Sequence, residues 1–289
     1  MAVKYLAGDR LIGTAAERAA LTVAINTSWE DTAFSSNWST SSGDDASVTG
    51  ATIRVAPATN DYALMTFDLQ SANGINATID SDTWVFQFDI DQTTWSVNSA
   101  STYLDGVVML SSVAGRSGDH VIFGAVNTNP KNGYRFAIVN GSGHDGMQEG
   151  GTAGTRNYQP SGAYTPSTTQ GINSNGKLGV RITRTSSTTF KYEICTDPTF
   201  AAGTTTTYNS SDTTAAAAIT SLRYIQIGGY IGHSGGIDGT NVVDVDNMKF
   251  WNGEVATTTY PKLPNGAIFE QTDDGKHYMF DGTSAWNEM

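Results

Sequence analysis

The sequence predicts an all-β fold, an antiparallel β-sandwich of jelly-roll type, on three observations. Apolar and polar residues alternate with period two in run after run between about residue 50 and residue 251. Clusters of Gly, Asn, Ser and Asp separate most of these runs, as turns do. No stretch of 3.6-residue periodicity stands between them, which favours two packed antiparallel sheets over a parallel α/β sheet. The clearest run is 84–90, in which Trp84, Phe86, Phe88 and Ile90 share one strand face while Val85, Gln87 and Asp89 take the other.

Along the chain, residues 1–26 read as an N-terminal arm in which Thr14 precedes Ala15-Ala16-Glu17. This T-x-x-E pattern is a capping box and predicts a short helix through Leu21. The sandwich is expected over 27–254, with further strands at 62–69, 103–110, 120–126, 134–139, 177–184, 190–195 and 222–231. The last run, VVDVDNMKFW at 242–251, changes phase: Val243 and Val245 have one parity, Met248 and Phe250 the other. A β-bulge at Asp246-Asn247 would let all four reach the core and would re-aim the Asp246 carboxylate; an edge-strand irregularity is the alternative. Residues 255–289 read as a Thr-rich, Pro-punctuated linker and a small C-terminal β-meander. Three short strands bury little apolar surface alone, so the meander is expected to dock on something, a copy of itself included.

Composition sets limits on function. The 289 residues carry 16 Lys and Arg against 28 Asp and Glu, and the net charge of −12 makes nucleic acid an unexpected partner. An apolar content of 38% supports a core, whereas only 15% charged residues leaves Ser, Thr, Asn and Gly to supply the polar surface. No apolar run approaches the roughly 18–20 residues that span a bilayer. Asp9, Arg10 and Glu17 fall where a signal peptide would be apolar, so neither membrane insertion nor Sec export is expected. The lone Cys195 excludes an intrachain disulfide and a Cys-based zinc site, and reads as a small packing residue at a strand end.

The constellations that carry catalysis are mostly missing. Glu17, Glu30, Glu149, Glu193, Glu254, Glu270 and Glu288 never fall two to a strand, so no local carboxylate cluster for glycoside hydrolysis forms. The Asp80/Asp82, Asp89/Asp91 and Asp244/Asp246 pairs read as solvated strand ends. GINSNGKL at 171–178 approaches a phosphate-binding loop but has Leu178 in place of the required hydroxyl, and a strand pattern follows it. His120, His144, His233 and His277 are scattered, and no G-x-S-x-G elbow occurs, so no catalytic residue is assigned.

For ligand binding, the Gly-rich segment 141–171 offers His144, Asp145, Arg156, Tyr158 and Tyr164, while Trp95 and Tyr103 would serve as sugar-stacking platforms. A surface loop and sandwich packing are the respective alternatives. No cofactor is required. A structural Ca2+ clamping the first and last strands would draw on Glu30 or Asp31 together with Asp246; the alternative is that Asp246 caps the bulge through backbone N–H groups.

WEDTAFSSNWSTSSGDDASVTGATIRV at 29–55 and VVDVDNMKFW at 242–251 resemble the opening and closing strands of concanavalin A-like lectin/glucanase jelly rolls. The resemblance implies a glycan binder, an enzyme or an inert spacer, and structural calcium at the position of Asp246. The chain departs from that family's hydrolases in lacking their carboxylate cluster. KYLAGDRLIGTAAER at 4–18 and LPNGAIFEQTDDGKHYMFDGTSAWNEM at 263–289 look like terminal modules of virion-associated proteins of marine tailed phages and related archaeal viruses. In the second, Asn265-Gly266, Phe269-Glu270, Thr272-Asp273, Tyr278, Asp281-Gly282 and Trp286 carry the resemblance.

Those modules imply an appendage, decoration or tail-fibre-like component, assembled in the host cytoplasm and located in the virion. The expected function is that of a non-enzymatic virion structural protein, a homo-oligomer with a trimer favoured, contacting other virion proteins and host surface glycans. The alternatives are a free carbohydrate-binding module or lectin and, behind it, a polysaccharide-degrading enzyme of the same fold.

Overall fold

The computed structural model describes residues 4–5, 10–26, 28–31, 37–40, 46–49, 52–55, 65–71, 74–75, 77–94, 102–115, 118–128, 131–139, 156–159, 177–203, 205–209, 213–228, 230–232, 242–257, 263, 265–282 and 285–289. Among them, two eight-stranded antiparallel sheets enclose one core, as the alternation predicts. The first sheet runs β12 (Arg156–Gln159), β11 (Lys131–Val139), β10 (His120–Thr128), β9 (Thr102–Ser111), β16 (Tyr224–Ile227), β7 (Met65–Asp68) and β4 (Ser39–Thr40), with β17 (Tyr230–Gly232) also on β9. The second runs β15 (Thr205–Asn209), β14 (Thr189–Cys195), β13 (Lys177–Ser186), β8 (Trp84–Thr94), β18 (Val242–Asn252), β6 (Thr52–Val55) and β5 (Ala46–Thr49), with β3 (Ser28–Asp31) on β18.

Strand β8 shows why these residues make a sandwich. Trp84, Phe86, Phe88 and Ile90 all enter the shared core, joined by Val180 and Ile182 from β13 and Phe190 and Tyr192 from β14. Ring contacts bridge the two sheets: Phe88 meets Phe123 edge-on at 5.5 Å, and Tyr192 stacks on Phe136 at 4.5 Å. The expected strand at 222–231 is broken into β16 and β17 at Gly228, whose φ of 146° an L side chain rarely adopts. Of the expected 62–69 run, Met65–Asp68 is strand, and 62–64 lie outside the described residues.

The bulge predicted in the closing strand is present. The register of β18 on β8 shifts between Asp246 and Lys249, and Asn247 takes a left-handed φ of 50°. Val243, Val245, Met248 and Phe250 are all buried in the core despite their mixed parity.

The two ends of the chain, read above as an arm and a meander, share a third sheet: β1 (Lys4–Tyr5), β2 (Arg10–Gly13), β19 (Ile268–Gln271), β20 (His277–Phe280) and β21 (Trp286–Glu288). Strand β2 pairs with β19 in parallel, Leu11 opposite Phe269. The capping box forms as expected: the Thr14 N–H donates to Glu17 Oε2 at 2.8 Å and the Glu17 N–H to Thr14 Oγ1 at 3.2 Å. Helix α1 continues from Ala15 to Asn26, past Leu21, because no Gly or Pro intervenes to stop it. Leu11, Leu21, Ala267, Phe269, Tyr278 and Phe280 form a core of their own, separate from that of the sandwich. The Asp273 carboxylate accepts the Ala15 N–H at the helix start, and the Arg18 guanidinium lies 3.4 Å over the Tyr278 ring. What the meander docks on is the chain's own arm. Among the described residues, no helix is long and apolar enough to cross a membrane.

The two cores formed by the described residues predict two melting transitions. Phe269→Ala should cost the terminal unit about 3–5 kcal/mol, lowering one transition in differential scanning calorimetry of the full chain and leaving the other in place. One transition lowered as a whole would show that the units melt together.

Candidate functional site

The outer face of the second sheet carries many charged and polar side chains among the described residues. Strand pairing sets them in rows. One row reads Glu30, Lys249, Gln87, Arg181, Glu193 across β3, β18, β8, β13 and β14; the next reads Asp246, Asp89, Gly179, Cys195; a third reads Arg54, Asp244, Asp91, Lys177. The Asp pairs expected at solvated strand ends thus face each other on adjacent strands, Asp246 opposite Asp89 and Asp244 opposite Asp91.

Neighbouring charges knit this face together. Arg181 donates from Nε and Nη2 to Gln87 Oε1 at 3.1 and 3.0 Å, and Glu193 lies 3.2 Å from Lys191. Arg54 clasps Asp244 through Nε and Nη2 at 2.8 and 2.7 Å, a two-point contact that fixes both planes. Lys177 Nζ donates to Asp246 at 3.2 Å.

Asp89 lies at the centre, only 6% exposed. Its Oδ2 accepts from Asn247 Nδ2 at 2.6 Å, a bond that the left-handed bulge makes reachable. Burial pushes its carboxyl up to about 6; the Asn247 bond opposes the rise, and the neighbouring Asp246 charge adds to it. Gly179 stands opposite Asp89, and a Cβ there would meet Phe200 Cε2 at 2.5 Å and the Pro198 carbonyl oxygen at 2.8 Å. The turn after β14 therefore folds back over the sheet and seats the Phe200 ring on a position that only glycine leaves open.

That turn is pinned by Asp197, whose carboxylate accepts the Thr199 and Ala202 N–H groups at 2.9 and 2.6 Å and is held below the usual carboxylate range by those bonds. Phe200 has a φ of 60°, and Arg181 packs 3.9 Å from its ring. Asn247 and Phe200, the two non-glycine residues with positive φ among the described residues, thus flank the same buried carboxylate. Such strain persists only where the surroundings over-determine it.

The expected metal ligands are distributed differently. Asp31 pairs with Met248 on the core side and accepts from Trp38 Nε1 at 3.0 Å, whereas Asp246 lies on the outer face. The bulge separates them, because it turns Met248 inward while leaving Asp246 outward. Glu30 shares the outer face but sits against Lys249 at 3.5 Å. Asp246 Oδ1 accepts the Asn247 N–H at 2.7 Å, the backbone-capping alternative. Among the described residues no group of three or more His, Cys, Asp or Glu side chains is arranged to hold a metal ion.

Of the expected ligand-binding residues, Trp95, His144, Asp145 and Tyr164 lie outside the described residues. Tyr103 falls in β9, and Arg156 and Tyr158 in the edge strand β12, opposite Val139 and Ala137. Sequence reasoning missed Phe200, Arg181 and Asn247 as site residues, and took Lys177 only as the start of a strand. It also missed a Ser–His contact: His120 Nε2 is 2.9 Å from Ser111 Oγ, while Nδ1 faces the Gly118 carbonyl oxygen at 2.9 Å. Both residues are fully buried, so the contact pins the turn between β9 and β10 and presents no accessible nucleophile. Cys195 is buried as expected, its Sγ 3.3 Å from the Ala202 carbonyl oxygen.

No protein-family model matches the sequence, and no curated protein matches it. Solved structures do. The winged bean acidic lectin in complex with methyl-α-D-galactose is 10% identical, with 77% of this chain covering 96% of the lectin at a TM-score of 0.44. The botulinum neurotoxin serotype D binding domain is 12% identical, with 80% of this chain covering 50% of it at a TM-score of 0.45. An alginate lyase in complex with an alginate tetrasaccharide is 12% identical, 81% of this chain covering all of it at a TM-score of 0.40. The chain is an all-β protein built on an antiparallel sandwich.

The raised Asp89 carboxyl makes stability pH-dependent with a definite sign. A carboxyl that titrates near 6 when folded and near 3.8 when unfolded binds the more protons in the folded state, so stability falls as pH rises through that window. Asp89→Asn keeps an acceptor for Asn247 and removes the buried charge. Its melting temperature should exceed that of the parent by about 3 °C or more near pH 7.5 and match it near pH 4. An equal change at both pH values would contradict the assignment.

Proposed function

We propose that the chain is a non-enzymatic structural protein of a virus particle, an appendage, decoration or tail-fibre-like component. Its terminal sheet attaches and oligomerises, and its lectin-type sandwich contacts host surface glycans. The observation that carries this reading is the parallel pairing of β2 with β19, which joins residues 10–13 and 268–271 in one small unit with its own core. A unit whose core is separate from that of the sandwich suits attachment, and it leaves the sandwich as the displayed part. The resemblance of 4–18 and 263–289 to terminal modules of virion-associated proteins points the same way, since these segments make up that sheet. The lectin-type fold and the aromatic and charged groups of the outer face suit glycan contact without chemistry.

Light scattering after size exclusion tests the assembly on the full chain, in calcium and in chelator so that any metal contribution is read in the same experiment. A trimer is expected, because cyclic closure would cover β1 and β21, which among the described residues pair on one side only. A stable monomer under both conditions contradicts the reading and favours a free carbohydrate-binding module. Release of reducing or unsaturated sugars from laminarin, agar or alginate contradicts its non-enzymatic part.

A further inference from the structure

We infer that the glycan-contact surface is the outer face of β18, β8 and β13 beside Phe200, and that it takes an uncharged, hydroxyl-rich saccharide. The inference rests on the glycan-contact reading above and specifies where that contact is made and with what class of sugar.

A sugar site needs a fixed apolar plane and polar groups that match hydroxyls, each of which both donates and accepts. Phe200 supplies the plane. Its ring is half-buried, seated over Gly179 and backed by Arg181, and the Asp197 turn holds it there without the ligand. Little ordering is therefore left to occur on binding. The polar groups lie within three adjacent strands, a breadth of about 10 Å at ordinary strand spacing. Lys177 is 45% exposed and donates; Asp246 and Asp91 accept; Asn247 and Asp89 form the floor between them.

Charge selects the class of sugar. In this corner Asp89, Asp91, Asp244 and Asp246 face Arg54, Lys177 and Lys249, and each cation is already engaged, Arg54 at two points with Asp244, Lys177 with Asp246 and Lys249 with Glu30. A uronate or sulfate would have to displace a protein carboxylate to find a cation, on a chain whose net charge is −12. A neutral hydroxyl pays no such cost and pairs equally with either partner of an existing ion pair.

The test is titration of full-length protein with neutral gluco-, galacto- and manno-oligosaccharides and with alginate and sulfated galactan oligosaccharides, repeated on Phe200→Ala and Lys177→Ala. A neutral oligosaccharide should bind, and each substitution should weaken it about tenfold or more while thermal melting shows the fold intact. Lys177→Ala keeps the test decisive if Phe200→Ala disturbs its turn. Parent-like binding by both folded variants would move the site elsewhere and leave the glycan-contact reading standing. Binding of anionic oligosaccharides alone would overturn the ligand class, and binding of no sugar by the parent would overturn both the inference and the reading beneath it.

Discussion

Between Asp246 and Lys249 strand β18 advances three residues while its neighbour β8 advances two, from Asp89 to Gln87, and that one extra residue organises the larger part of the molecule. On the inner side it brings Met248 and Phe250 into the same core as Val243 and Val245, so a central strand of the second sheet presents an apolar row to the core on both sides of the bulge. On the outer side it turns Asn247 into the left-handed region and aims its amide at Asp89. The cost of a non-glycine residue at positive φ is of order 1–3 kcal/mol, and burial of two large apolar side chains, at about 1.5–3 kcal/mol each, offsets it. The same irregularity therefore completes the core and creates the buried carboxylate of the outer face.

The outer face also shows how a sheet surface can be polar and yet largely closed to water. Gln87, Asp89, Glu193 and Asp244 are each less than a tenth exposed because neighbours on adjacent strands cover them. Arg181 is shared among Gln87, Glu193 and the Phe200 ring, so its guanidinium is packed and hydrogen-bonded at once. The burial lowers its proton affinity, opposed by the nearby Glu193 charge. Elsewhere a second buried arginine, Arg184, donates to the carbonyls of Ile219, Ala216 and Ser187, holding the last turn of helix α2 (Thr213–Ala218) against the core without a carboxylate.

What was legible in the sequence was what short-range patterns encode. The alternation at Trp84–Ile90 and the capping box at Thr14 and Glu17 are local signals, and both formed. The phase change in β18 was readable because a parity slip shows within ten residues. Non-local pairings were not readable in the same way. Nothing at Arg10–Gly13 announces β19 more than 250 residues later, and nothing in Asp89/Asp91 or Asp244/Asp246 reveals that the pairs lie opposite each other. Phe200 was missed because its placement depends on the absence of a side chain at Gly179, on another strand. The same limit misplaced Asp31, whose face is set by its register with Met248.

The bulge buries one carboxyl under Asn247, and the sharpest check is a carbon-detected NMR titration of Asp89. A midpoint near 6, well above the ordinary 3.8 of an aspartate, is expected. A midpoint near the ordinary value would mean that Asp89 is solvated, that the bulge does not roof it, and that the outer face is not organised around it.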